Sequence, residues 1–189
     1  MLRLLSVLTG LALLLGGAGV AHGSLAAPDV SGDWEWSDVS HLTLPVFVAI
    51  LSGLEPEGPI TNAVCEAHGS MTLFQTDAAF SGVAFAASQQ CVTRGGQVFS
   101  SPDAGLPKSV AGQITGESLH FSFSNFLITP CPHHAVVSEV EGGVAVALSG
   151  GGRCFLPGDP QYAGPLPAPP PGGGGGGTSK TLSWEAVRP

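Results

Sequence analysis

The stretch VAGQITGESLHFSF, residues 110–123, decides the reading of the fold. Val110 and Ile114 stand on one side of Gly116-Glu117, and Leu119, Phe121 and Phe123 stand on the other, each return position separated by a polar residue. Apolar residues two apart share one face of a strand, whereas a helix face needs spacings of three and four. The glycine between the two runs supplies a turn, so the stretch predicts an antiparallel hairpin with one buried face.

The same pattern recurs on both sides of it. Upstream, Met71 and Leu73 alternate with polar residues, the chain turns at 76–79, and Val83, Phe85 and Ala87 alternate on the return. Downstream, 135–141 and 144–148 flank the pair Gly142-Gly143, which suits the positive φ angles of a tight turn. A first strand near 31–37 carries Trp34 and Trp36, and a last one over 181–187 sets Leu182, Trp184 and Ala186 on one face. Residues 44–54 read equally as a short helix over one mouth or as an irregular strand. The chain is therefore expected to be all-β, an antiparallel up-and-down meander of about seven to nine strands, the arithmetic of a small closed barrel. A β-sandwich is the alternative.

Composition agrees and narrows the function. With 28 glycines and 16 prolines in 189 residues, turns and loops outweigh helices. Charged residues make up 11% and the net charge is −8, so there is no basic field for nucleic acid. Residues 1–23 carry Arg3, an apolar run from Leu4 to Leu15, and the small-residue ending Ala21-His22-Gly23. That order is expected of a secretory signal cleaved after Gly23, leaving no membrane span and placing the mature chain outside the cell or in the periplasm. The mature domain is read as 24–157 together with 179–189. The Pro/Gly-rich stretch 158–178, with six consecutive glycines, is read as a disordered loop between them.

Export makes two disulfides the expectation for Cys65, Cys91, Cys131 and Cys154. If opposed residues around Gly142-Gly143 add to about 285, Cys131 faces Cys154. A total near about 156 around Asp77-Ala78 places Cys65 opposite Cys91. Four cysteines allow about three pairings, and this hairpin pairing is the one the turns favour. The register about Gly142-Gly143 sets Val144, Val146 and Leu148 on a face with Glu139 and Glu141, a mismatch that a bulge would repair.

Gly32-Asp33-Trp34 at the first strand, with Trp184 and Arg188 in the last residues, resembles the lipocalin and wider calycin group. The resemblance implies a lipocalin-like barrel in which Arg188 stacks on Trp34 to close the floor. It also implies an interior facing a ligand, to which Met71, Leu73, Val83, Phe85, Phe121, Phe123 and Trp184 are assigned.

No catalytic, cofactor or metal signature emerges, and the chain is not read as an enzyme. His133 and His134 follow Cys131-Pro132, but adjacent strand residues point to opposite faces and an oxidised cysteine is no ligand, so they read as surface histidines. The run from Gly174 to Thr181 departs from the phosphate-binding pattern at Ser179, and Ser149 lacks the first glycine of a nucleophile elbow. Glu139 and Glu141 read as exposed strand carboxylates. The functional expectation is an exported binding module for a small apolar ligand; the alternative is a structural or protein-interaction module with a packed interior.

Overall fold

In a computed structural model the described residues are 27–100, 105–124, 131–155 and 177–189. The expected signal peptide and nearly all of 158–178 lie outside them.

Alternating burial produces nine strands and one short helix: β1 (Gly32–Pro45), α1 (Val46–Leu51), β2 (Ile60–Thr76), β3 (Ala79–Thr93), β4 (Val98–Phe99), β5 (Lys108–Thr115), β6 (Ser118–Ser124), β7 (Cys131–Glu141), β8 (Val144–Phe155) and β9 (Thr178–Val187). All pair antiparallel in one sheet. Each strand lies beside its neighbour in the chain, β4 being a two-residue appendix on β3. β9 returns to β1, so the pairings β1-β2-β3-β5-β6-β7-β8-β9 form a ring. The fold is all-β and antiparallel, as the hairpin patterns require. Among the described residues, 85–90 of β3 has no strand partner on its β5 side, because β5 ends its pairing at Ala84 and β4 begins at Val92 and Cys91.

The hairpin at 110–123 turns between Thr115 and Ser118, with Val110, Ile114, Leu119, Phe121 and Phe123 all buried. Around Gly142-Gly143, with φ of 58° and 85°, β7 and β8 pair in the register that opposes His133 to Gly152. Register shifts at Val137–Glu139 and Glu139–Val140 resolve the mismatch noted above: Ala145 and Leu148 turn inward, and Glu139 and Glu141 stay outside.

Two expectations need correction. Val83 and Phe85 do not face the interior; they are 41% and 46% exposed, while Phe80, Ala84 and Ala86 are buried. The turn has two central residues, so Thr76 pairs with Ala79 and Met71 meets Ala84 rather than Phe85. A bulge opposite His68–Gly69 then absorbs one residue at Ala87 and restores the register that opposes Cys65 to Cys91. A one-residue slip moves every side chain between the bulge and the turn to the other face. Leu182 likewise leaves the face of Trp184 and Ala186, because β9 bulges there: Ser183 pairs with Val39 and Thr181 with Ser40.

Both cysteine pairs are at bonding distance, Cys65–Cys91 with Cα atoms 4.0 Å apart and Cys131–Cys154 with 4.4 Å. Two disulfides point to an oxidising, extracellular type of compartment. No helix among the described residues is long and apolar enough to cross a membrane. Residues 44–54 combine both sequence alternatives: Leu44 and Pro45 end β1, and α1 follows.

The inward residues form two separate apolar clusters. The larger contains Trp34, Trp36, Met71, Leu73, Phe80, Ile114, Leu119, Phe121, Phe123, Leu148 and Trp184. The smaller gathers Leu44, Ala49 and Leu54 with Leu42, Val48 and Phe99 beneath α1.

Candidate functional site

Strand alternation carries polar residues into the interior beyond the large cluster. On β1 the inward positions Trp34 and Trp36 are followed by Asp38 and Ser40; on β7 the inward series is Cys131, His133, Ala135 and Val137. Thr181 on β9 pairs with Ser40, and both are buried. Gln89 pairs with buried Ala67, and Lys108 pairs with buried Ala84. A polar belt thus crosses the interior.

His133, expected at the surface, is a buried member of this belt; its inward parity with Ala135 and Val137 is the reason. Its ring lies 5.4 Å from Phe121 in a stacked arrangement and 4.9 Å from Phe123 edge-on. Opposite it stands Gly152, where an added Cβ would lie 2.4 Å from the imidazole Cγ. Any larger residue there would displace the ring. His134 faces outward beside His120, so the two adjacent histidines serve different surfaces. No group of three His, Cys, Asp or Glu able to hold a metal forms among the described residues.

Asp38, Thr181 and His133 form a string. Thr181 Oγ1 is 3.0 Å from Asp38 Oδ2 and 3.4 Å from His133 Nε2. His133 Nδ1 lies 2.9 Å from the Cys131 carbonyl, which can only accept, so Nδ1 carries the proton and a neutral imidazole presents Nε2 as an acceptor. Thr181 has one proton to give. With Asp38 ionised that proton goes to the carboxylate and Nε2 lacks a donor. With Asp38 protonated, Asp38 donates to Thr181 and Thr181 to His133. Burial raises the Asp38 pKa above the usual carboxylate range, opposed by hydrogen bonds from Thr181 and Ser40 and by Lys108. Burial also lowers that of His133, against the Cys131 carbonyl contact and with Lys108 adding to the effect. Lys108 therefore acts electrostatically on both groups.

The belt rests on aromatic rings. Phe121 lies 5.3 Å from Phe123 and 5.4 Å from Trp184 between ring centroids, and Phe123 lies 6.5 Å from Trp184. Trp184 is 2% exposed, yet its indole Nε1 has no hydrogen-bond partner among the described residues. The other two tryptophans are satisfied: Trp34 donates to the Val30 carbonyl at 2.9 Å and Trp36 to that of Ser70 at 3.1 Å.

Of the residues assigned to the interior from sequence, Met71, Leu73, Phe121, Phe123 and Trp184 are buried in the large cluster. Trp34 and Arg188 meet at the opposite end from α1. The guanidinium carbon lies 4.7 Å from the indole centroid, Nε donates to the Ala145 carbonyl, and Nη2 donates to that of Asp29 at 3.2 Å. Sequence reasoning missed Asp38, Gln89, Lys108, His133 and Thr181; continuing each strand's alternation past its apolar residues is the signal that finds them. Two open depressions meet at His68, one lined also by Glu66, Ser88 and Gln89 and the other by Glu35, Trp36 and Val187.

Compared with protein-family models, curated proteins and solved structures, the chain gave no match.

Proposed function

We propose that the chain is an exported binding module, built as a lipocalin-like up-and-down barrel, that takes a small and largely apolar molecule into its interior. The observation that carries this reading is the unpartnered indole N–H of Trp184 inside the ring, set against the Phe121 and Phe123 rings. Buried donors are nearly always satisfied, and leaving one unmet costs roughly 1–3 kcal/mol. A ligand that lies against these rings and accepts from Trp184 removes that cost. Ligand sites combine this mostly apolar lining with a few placed polar groups. The signal peptide cleaved after Gly23 belongs to the same reading, and no catalytic role is assigned.

A second reading, a protein-interaction module, is favoured by the outward row Phe74, Val83 and Phe85 on β2 and β3, all more than 40% exposed. The two readings separate by native mass spectrometry of the full chain exported from an expression host, before and after denaturation. A bound mass that disappears on denaturation supports the carrier. A bare mass, together with no saturable uptake of small apolar probes, moves the function to the outer face.

A further inference from the structure

Besides the Trp184 indole, one other buried side-chain atom lacks a partner among the described residues: Gln89 Oε1. One is a donor and the other an acceptor, and both belong to inward positions. They also belong to one tier of the ring. Trp184 pairs with Asp38, Asp38 with Ala67, and Ala67 with Gln89. Ala67 projects only a methyl group between Asp38 and Gln89 and offers neither of them a hydrogen bond.

The polar groups around this tier bear on what charge a ligand should have. Asp38 already accepts from Thr181 and Ser40 and lies within electrostatic reach of Lys108. His133 is engaged at Nδ1 by the Cys131 carbonyl and faces Thr181 at Nε2. Asp38 and Lys108 are opposite in charge and act on one another, so a charged head would have to compete with that interaction. Among the described residues the capacity left unmet is the Trp184 donor, beside the rings of Phe121 and Phe123, the neutral Gln89 acceptor and, while Asp38 is ionised, the His133 Nε2 acceptor.

We infer that the interior selects a neutral hydrophobe whose head group both accepts and donates a hydrogen bond, as a hydroxyl or primary amide does. The head accepts from Trp184 Nε1 and donates to Gln89 Oε1, and the apolar body lies against Phe121 and Phe123. This inference rests on the binding-module reading and adds the chemical class of the ligand.

Three probes with one aromatic body separate the terms: 2-naphthamide accepts and donates, methyl 2-naphthoate only accepts, and 2-naphthoate is anionic. Each is titrated into the full exported chain by calorimetry. In parallel, the indole N–H signals are followed by two-dimensional NMR, with that of Trp184 assigned by its loss in Trp184→Phe. The amide should bind about tenfold tighter than either other probe, the ratio expected when one hydrogen bond worth about 1.4 kcal/mol is made or lost. The Trp184 indole signal should move on binding while those of Trp34 and Trp36 stay. Gln89→Leu should bring the amide and ester to equal affinity; if this variant does not fold, the wild-type affinity order and the Trp184 signal still decide. Equal affinity for all three probes with an unmoved Trp184 signal overturns the head-group inference and leaves the binding reading standing. Absence of saturable binding by every probe overturns both.

Discussion

Replacing Arg188 by alanine tests the closed end of the ring more directly than any other change. The side chain makes three contacts: a cation–π contact with Trp34 at 4.7 Å, a hydrogen bond to the Ala145 carbonyl, and one to the Asp29 carbonyl at 3.2 Å. A cation over an indole contributes roughly 0.5–2 kcal/mol depending on how well water is excluded. A hydrogen bond from a charged donor contributes roughly 1.5–3 kcal/mol. The Asp29 carbonyl is at an exposed site and also accepts from the Ala145 amide, so its loss weighs little. The Ala145 carbonyl belongs to a fully buried residue, and its bond from Arg188 carries most of the hydrogen-bonding share. The expected loss is about 2–5 kcal/mol, from one strong bond plus the stacking contact. Equilibrium urea unfolding with the disulfides intact would read it as a lower midpoint at an unchanged slope. Lys180, exposed on β9, is the control, and Lys180→Ala should stay within about 0.5 kcal/mol. Arg188→Lys keeps the charge but not the planar fork and should recover less than half of the loss. Equal effects of Arg188→Ala and Lys180→Ala would refute the floor-closing role.

His133 gives a pH signature. Its folded pKa is lowered, so its contribution to stability is complete above the usual histidine value of 6.5 and is lost as pH falls from there through the folded pKa. Melting at pH 7.5 and 5.5 should show a fall in the wild type that His133→Gln reduces; an unchanged fall would remove the burial argument. Each disulfide closes a short loop, with sequence separations of 26 and 23, and removing either by paired Cys→Ala substitution should cost roughly 3 kcal/mol. Unaltered urea midpoints in both paired variants would show that the bridges do not restrain the unfolded chain.

Much of the frame could be read before any coordinates. The hairpin at 110–123 contains its own register, because turn and buried faces lie within a few residues of each other. The Cys131–Cys154 pairing followed from the turn because the two shifts in the β7–β8 ladder cancel, whereas Cys65 meets Cys91 only because the bulge at Ala87 adds one residue to the count set by the turn. Phe85 and Val83 were misplaced because a bulge at Ala87 conserves the distant register while reversing the near one, and nothing in ASQQ marks it. Leu182 failed for the same reason. The belt was harder. An isolated Asp38 or His133 resembles a solvated residue in sequence, and only the closure of β9 onto β1 turns its strand face into an interior.

That closure also sets an order of events. Every pairing in the ring but one joins strands that follow one another along the chain, with only the appendix β4 between β3 and β5, and such local contacts form early at little loop-closure cost. The exception is the seam between β1 and β9, which unites Asp38 with Trp184. Thr181 and Trp184 reach the interior only when the seam zips, and Arg188 locks over Trp34 in the same step. A chain halted before β9 docks therefore holds two open sheet edges and half a polar belt: the interior is complete only once that last strand is in place.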